Sequence, residues 1–227
     1  MFIISLVGRK GGTGKTTLAL GLAVAAARAG HAAVILDVDP QTSAARWKEQ
    51  RSADNPAVIS AQASSLKPAI ETARMAADFI IIDTASRKDD GALTAAQASD
   101  LVLIPTRFTG MDIEMLPDAR DIVGLADSPP AFVLLNSLHA STGVRYVAVV
   151  RKSIEVQFGM RVAPVYIGQR EAYAEALTLG LPPQELDAEG KTTAELERLF
   201  KFTREIVNKR KSEQRHAVED LRHSAPA

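Results

Sequence analysis

The feature that most restricts the possible folds is a regular alternation of short apolar runs with longer helical patterns. Seven runs are rich in isoleucine, valine, leucine and phenylalanine: Phe2–Val7, Ala33–Asp37, Ala57–Ser60, Phe79–Asp83, Leu101–Pro105, Ala131–Leu135 and Val162–Tyr166. Runs that are apolar throughout are typical of strands buried on both faces of a parallel sheet. The helical patterns between them are Lys15–Ala29, Ser43–Arg51, Ser65–Ala76, Asp89–Ala98, Asp112–Ala126, Gly143–Phe158 and Arg170–Leu179. The sequence therefore predicts an α/β fold with a mostly parallel central sheet flanked by helices on both faces.

Length and composition fit one globular domain over residues 1–227, since 46% of the residues are hydrophobic and 24% are charged. A helical, basic segment from about residue 192 to 221 closes the chain. The absence of cysteine excludes disulfides and thiolate metal sites, and the four histidines lack metal-ligand spacing. Because the formal net charge is zero, any affinity for nucleic acid must come from a local patch.

The sequence gives no sign of export or of a membrane anchor. Its apolar start ends at Val7, before Gly8 and Arg9, so it lacks the pattern of a signal peptide. The longest apolar stretch, Leu18 to Ala27, is shorter than the roughly 20 residues that span a bilayer. We expect a cytoplasmic protein without membrane contact.

A glycine-rich loop joins the first apolar run to the first helical pattern. The loop consists of Gly11, Gly12, Thr13 and Gly14, followed by Lys15, Thr16 and Thr17. Glycines allow tight turns that aim backbone N–H groups at phosphate oxygens, and the following helix adds the positive end of its dipole. Lys15 would reach the β- and γ-phosphates, and the Thr16 hydroxyl would bind Mg²⁺. The pattern predicts an ATP-binding phosphate loop, because a plain glycine turn would not explain the lysines.

The loop departs from the standard pattern G-x-x-x-x-G-K-[ST], because Arg9 occupies the place of the first glycine. It carries a second lysine, Lys10, and its sequence KGGTGKTT resembles the ParA/MinD family of deviant P-loop ATPases, in particular the small plasmid-type ParA partition proteins. The resemblance implies an ATP-sandwich homodimer in which Lys10 is a catalytic cation that contacts the partner's phosphates. The alternative is that Lys10 only adds charge to its own loop.

Two carboxylates end the second apolar run, where Asp37 and Asp39 can point to the same face of a strand. In open α/β sheets, ligands bind at this edge. The segment DVDPQTS resembles the second motif of the same family, which implies that Asp39 is catalytic and activates the attacking water, that Asp37 lies near the magnesium ion, and that Gln41 and Thr42 belong to a mobile switch segment. An ordinary turn at Pro40 followed by a helix cap is a compatible alternative.

Asp83 follows four apolar residues at the end of the fourth run, and we interpret it as a Walker B carboxylate that holds Mg²⁺. Family members often continue with two prolines, whereas this chain has Ala85 and Ser86. The resemblance therefore does not extend to the loop from Ala85 to Asp90.

The resemblance also implies contacts to the base and to partners. Asn136 ends the sixth run, and the segment Ile167 to Arg170, which includes Gln169, would lie near adenine. The C-terminal segment holds Lys201, Arg204 and Lys211 at spacings of three and seven, so these cations can share one helical face. They would bind non-specific DNA, although a solvated helix face is the simpler reading.

Two functions fit this sequence. The first is a nucleoid-associated positioning or partition ATPase that uses ATP and Mg²⁺, dimerises, and is stimulated by a cargo-bound ParB-like protein. The second is a metabolic, ligase-like ATP-dependent enzyme on the same fold.

Overall fold

The computed structural model describes residues 1–86, 90–186 and 188–223, and its centre is one parallel sheet. The six strands within these residues are β1 Phe2–Leu6, β2 Ala33–Asp37, β3 Ala57–Ser60, β4 Phe79–Asp83, β5 Leu101–Arg107 and β6 Ala131–Asn136. They lie in the order β3-β2-β4-β1-β5-β6, and every pairing is parallel. The predicted α/β fold class is confirmed.

Helices connect the strands and cover both faces of the sheet. Their bounds are α1 Lys15–Arg28, α2 Ser43–Glu49, α3 Leu66–Arg74, α4 Asp90–Ala98, α5 Gly110–Ile113, α6 Leu116–Leu125, α7 Val144–Phe158, α8 Glu171–Leu179, α9 Pro183–Leu186 and α10 Lys191–His223, with a short 3₁₀ turn at Ala63–Ser65. The predicted start of the fourth helix, Asp89, lies outside the described residues. These crossovers return each strand in the same direction, as a parallel sheet requires.

The alternation of side chains along each strand divides the core into two layers. On β4, Phe79 and Ile81 pack with α1, α2 and α10, whereas Ile80 and Ile82 pack with α3 and α4. The β5 and β6 side chains that point to this second face pack with α4, α6 and α7. Both faces are therefore buried, which explains why the strands are apolar at every position.

The prediction of a seventh strand at Val162–Tyr166 is wrong. The segment runs beside β6 but forms only two isolated bridges, Val133 with Val162 and Leu138 with Gly168. Its successive donors to β6 are Ala163 and Ile167, which are four positions apart, whereas a regular parallel strand donates from every second residue.

The predicted helix Asp112–Ala126 is divided in two. Helix α5 ends at Ile113 and α6 begins at Leu116, with Pro117 in its first turn. A proline at this position cannot donate to the carbonyl of Ile113, so the two helices cannot be continuous.

Helix α10 packs closely against α1. A Cβ atom on Gly21 would lie 2.5 Å from Leu196 Cδ2, so the contact requires glycine on α1. None of the helices in the described ranges combines the length and apolarity needed to cross a bilayer.

Candidate functional site

A cavity of about 410 Å³ opens at the carboxyl edge of the sheet, where the predicted phosphate loop joins β1 to α1. Most of the predicted phosphate-binding residues line it, together with the start of α2: Gly11, Gly12, Gly14, Lys15, Thr16, Thr17, Asp39, Pro40, Gln41, Ser43 and Ser86. Thr13 is buried beneath the loop. Strands β1, β4 and β2 are neighbours in the sheet, so their ends bring the loop, Asp83 and the segment after Asp37 to one place.

The turn of the loop depends on Gly14, whose φ angle of +91° is unfavourable for other residues. The side-chain amide of Asn136 donates to the Thr13 carbonyl at 2.7 Å. A Cβ atom on Gly14 would lie only 2.3 Å from the Asn136 Nδ2 atom. Asn136 thus holds the phosphate loop against β6, and its predicted contact with adenine stays a prediction.

Lys15 is almost fully buried and is oriented by two oxygen atoms. Its Nζ atom donates to Ser86 Oγ at 2.6 Å and to the Lys10 carbonyl at 3.3 Å. Burial lowers the pKa of Lys15, whereas the nearby Asp83 and Asp39 raise it. Ser86 was not predicted as a site residue, because a serine three positions after a Walker B aspartate forms no recognisable pattern.

Asp83 is a buried carboxylate, and among the described residues neither of its oxygen atoms has a partner with full hydrogen-bond geometry, although the Thr16 hydroxyl lies near enough to lower its pKa. Burial is the largest cause that raises its pKa to about 7; Asp37 and Asp39 add to this, while Thr16 and Lys15 oppose it. A bound cation would compensate such a carboxylate. Among the described residues, no group of three or more His, Cys, Asp or Glu side chains is arranged to hold a metal ion. Asp83 and Thr16 fit Mg²⁺, which commonly takes one or two carboxylates and completes its shell with phosphates and water.

Asp37 faces Asp83 across the β2–β4 pair, but its oxygen atoms have other partners. Oδ2 accepts from the backbone N–H groups of Ala44 and Ala45 at 3.0 and 3.1 Å, and Oδ1 accepts from that of Asp39 at 3.2 Å. Burial raises the pKa of Asp37, and these N–H groups oppose the shift. The carboxylate thus satisfies the N-terminus of α2 from within the sheet.

Asp39 lies at the mouth of the cavity, between β2 and α2. One of its oxygens accepts from the Gln41 N–H at 2.9 Å, which closes a tight turn around Pro40. Its partial exposure leaves the carboxylate accessible to a water molecule from the cavity.

Lys10 forms an ion pair within its own subunit. Its Nζ atom lies 2.7 Å from Asp112 Oδ1. Asp112 is buried and also accepts from Thr109 Oγ1 at 2.7 Å and from Arg107 Nε at 3.0 Å. Burial alone would raise the pKa of Asp112, but these three donors outweigh it and lower the pKa. The ion pair was not foreseen, because the two residues are far apart in the sequence.

A second cavity, of about 270 Å³, adjoins the first and shares Gly12, Gly14 and Thr17 with it. The remaining lining comes from α1, the end of β6 and the segment that leads into α8, namely Leu18, Asn136, Ser137, Ile167, Gly168, Gln169, Arg170, Tyr173 and Ala174. The Gln169 backbone N–H donates to the Leu138 carbonyl at 2.7 Å. The structure thus brings the predicted base-binding residues together beside the phosphate loop.

The three basic residues predicted on α10 have different surroundings. Lys201 and Arg204 are exposed. Lys211 instead donates to the Met1 carbonyl, lies 3.9 Å from Asp100 Oδ2, and contacts the Phe2 ring. Lys211 thus fastens α10 to the start of β1, which makes it the least available of the three to an external ligand.

Comparison with known proteins gives consistent results. Residues 4–224 match the family described as CobQ/CobB/MinD/ParA nucleotide binding domain. The chain is 30% identical to the protein virC1 of Rhizobium radiobacter over 190 residues, which cover 80% of this chain and 82% of that protein. It is 34% identical over 118 residues to the maintenance of carboxysome distribution protein A of Gloeobacter kilaueensis, covering 50% of this chain and 53% of that protein.

Solved structures share the fold at low identity. A variant of Cyanothece McdA in complex with ATP superposes with a TM-score of 0.71 at 18% identity, covering 92% of this chain and 96% of that one. The cell division ATPase MinD of Pyrococcus furiosus gives 0.70 at 19% identity, covering 90% and 99%. A putative plasmid partition protein of Borrelia burgdorferi bound to AMPPNP gives 0.70 at 18% identity, covering 90% and 98%.

Proposed function

Because the chain belongs to the CobQ/CobB/MinD/ParA family of nucleotide-binding domains, we propose that it is a positioning ATPase that dimerises around ATP. The observation that carries the proposal is the phosphate cavity, which Lys15 and the accessible carboxylate of Asp39 line, with the buried carboxylate of Asp83 close enough to raise the pKa of Lys15. A cation, a metal-binding carboxylate and a carboxylate for water are the parts that nucleoside triphosphate hydrolysis requires.

ATP binding rests on the loop from Gly11 to Thr17. Its backbone N–H groups and Lys15 compensate the phosphate charge, and Thr16 and Asp83 hold Mg²⁺. The ion neutralises charge on the phosphate oxygens when it is bound. Ser86 keeps the Lys15 ammonium pointed at the phosphates by its 2.6 Å contact.

Hydrolysis rests on Asp39, which orients the attacking water and accepts its proton. Asp39 is suited to this role because it is the most accessible of the three aspartates near the cavity. Its position depends on Asp37, which binds both the Asp39 N–H and the first turn of α2.

Dimerisation rests on Lys10, which would stabilise the partner's phosphates as a cation supplied in trans. Its pair with Asp112 must open before it can do so. The phosphates of the nucleotide in the other subunit would replace Asp112, so Lys10 would change partner only when that subunit carries ATP.

The names of similar proteins support a role in positioning. Relatives are named for carboxysome distribution, plasmid partition and cell division, all of which concern where a large object lies in the cell. We propose that this dimer holds non-specific DNA through Lys201 and Arg204 of α10, and that a cargo-bound, ParB-like protein stimulates hydrolysis and release.

The test compares wild type with Lys15→Ala in ATP·Mg²⁺ titrations and in light scattering with and without ATP. Wild type should bind ATP, form dimers and hydrolyse it slowly. Lys15→Ala should weaken binding at least tenfold, since a charge-assisted contact contributes about 1.5–3 kcal/mol. Lys67→Ala changes an exposed lysine on α3 and serves as the matched control.

Near-normal ATP affinity of Lys15→Ala would refute the assignment of the loop. ATP turnover by a monomer that requires a small-molecule co-substrate would favour the ligase-like enzyme instead.

A further inference from the structure

A buried glutamate on α10 directs its hydrogen bonds with the described residues to the segment that lines the second cavity. Glu195 is 3% exposed. Its Oε2 atom accepts from the Gly168 N–H at 3.2 Å and from Tyr173 OH at 3.2 Å, while Arg170 Nη2 lies 2.5 Å from Oε1. Arg170 Nε also donates to Oε2, at 3.3 Å.

The helix itself does not need this carboxylate. Leu196, Leu199 and Phe200 supply the apolar packing of the same stretch of α10. A glutamate is almost never fully buried unless it is paired, because removing its charge from water is unfavourable. The contacts therefore indicate that Glu195 orders the segment that it touches.

The close approach between this segment and Glu195 explains why residue 168 is a glycine. A Cβ atom on Gly168 would lie 3.2 Å from Glu195 Oε1 and 3.0 Å from Arg170 Nη2, tighter than most Cβ contacts. Burial, followed by the charge of Glu195, raises the pKa of Tyr173. The Tyr173 hydroxyl thus stays protonated and acts as the donor.

We propose that Glu195 is a positioning residue for the nucleobase, a role that rests on the proposed function. Glu195 does not line the cavity, but Gly168, Gln169, Arg170 and Tyr173 do. By fixing this wall before the nucleotide arrives, Glu195 removes the ordering cost that base binding would otherwise carry. Among the described residues, Glu195 forms no hydrogen bond or ion pair with the phosphate loop. The affinity of the phosphate loop for phosphates should therefore not depend on Glu195.

The test uses two probes, ATP and inorganic tripolyphosphate, each with Mg²⁺. Glu195→Gln should raise the Kd for ATP about tenfold, because a charged hydrogen-bond acceptor becomes neutral, and should leave the Kd for tripolyphosphate within about twofold. Glu197→Gln, an exposed glutamate two residues away, should change neither constant.

A second variant changes the same wall and leaves the Glu195 side chain itself in place. Gly168→Ala should push the segment away from Glu195 and reproduce the selective loss of ATP affinity, so it carries the test where Glu195→Gln does not fold. Equal loss of both probes, or no loss of either, would overturn the positioning role. Failure of wild type to bind ATP while it binds tripolyphosphate would instead refute the proposed function.

Discussion

At the level of single side chains, the three aspartates near the phosphate cavity differ in what their oxygen atoms already bind. Among the described residues, Asp83 has no hydrogen-bond partner with full geometry and only the Thr16 hydroxyl nearby, whereas Asp37 accepts three hydrogen bonds from backbone N–H groups and Asp39 accepts one. A carboxylate without donors suits a cation, whereas one filled with N–H groups suits a structural cap. The three residues should therefore respond differently to substitution.

Asp39→Ala should separate ATP binding from hydrolysis. Its carboxylate is assigned to the water and lies away from the phosphate-binding N–H groups, so the variant should bind ATP within about threefold of wild type but lose at least about 100-fold in turnover, in line with the loss of a general base. Sedimentation with ATP should reveal a stable dimer. Parallel loss of binding and turnover would show that Asp39 acts on the phosphates.

Asp37→Ala should lower the free energy of unfolding by about 1–2 kcal/mol, because α2 loses the acceptor for two N–H groups at its start. Asp37→Asn keeps one acceptor and should lose less. Urea unfolding measures both. If Asp37 instead binds the metal, stability would be nearly unchanged, and the Mg²⁺ concentration needed for half-maximal ATP binding would rise steeply in both variants.

At the level of elements, helix α5 positions the Lys10 side chain through an ion pair with Asp112. Asp112 lies on α5 and is bound by Lys10, Arg107 and Thr109. The phosphate loop and the end of β5 thus meet through one carboxylate, and this contact competes with any partner subunit for the Lys10 ammonium.

Lys10→Ala should weaken ATP-dependent dimerisation about tenfold or more and leave ATP binding by the monomer nearly unchanged. Asp112→Asn should have the opposite effect on dimerisation, by a few fold, because a neutral amide holds Lys10 less strongly. Light scattering across a protein concentration series with ATP measures both. If wild type and Lys10→Ala dimerise equally well, Lys10 only adds positive charge to its own loop and does not contact the other subunit.

Strands and helices with a regular hydrophobic pattern were predictable from sequence, whereas local interruptions of a strand or helix were not. Six strands were identified because burial on both faces keeps them apolar throughout. The strand at Val162–Tyr166 failed because its donors to β6 are irregularly spaced, which a continuous run of hydrophobic residues does not reveal. The single helix at Asp112–Ala126 failed at Pro117.

The site was predictable where chemistry fixes local spacing, as in the loop from Lys10 to Thr17. Contacts between distant segments left no such signal. Ser86 binds Lys15 across 71 positions, and Asn136 reaches Thr13 across 123. Both depend on which strands are neighbours in the sheet, and a single sequence does not record that order.

At the level of the whole molecule, the net charge is zero, so DNA binding requires a local group of basic residues. Helix α10 carries such a group and extends from the second cavity to the start of β1. Glu195 lies near the start of the helix and contacts the wall of the second cavity, and Lys211 lies further along the helix and contacts Met1. Lys201 and Arg204 lie between them with exposed side chains. A dimer would present two such pairs on one body, so DNA affinity should increase with ATP through effective concentration.

The double variant Lys201→Glu and Arg204→Glu should abolish ATP-dependent gel shifts of random duplex DNA and spare dimerisation. Wild-type binding should weaken steeply with salt. The logarithm of the DNA-binding constant should fall by about 0.9 for each phosphate contact when the salt concentration rises tenfold. Lys211 is left unchanged, because a glutamate there would face Asp100, and Lys67→Glu on α3 is the control. A double variant that still shifts DNA at low salt would place the surface elsewhere.

The order of the sheet also has a consequence for synthesis on the ribosome. β4 lies between β2 and β1, although it follows both in the chain. A nascent chain that has emerged only as far as residue 78 therefore has its phosphate loop but neither the central strand nor Asp83. The residues that line the two cavities can therefore come together only late in translation, after Asp83, the β6 residue Asn136 and the segment 168–174 have left the exit tunnel.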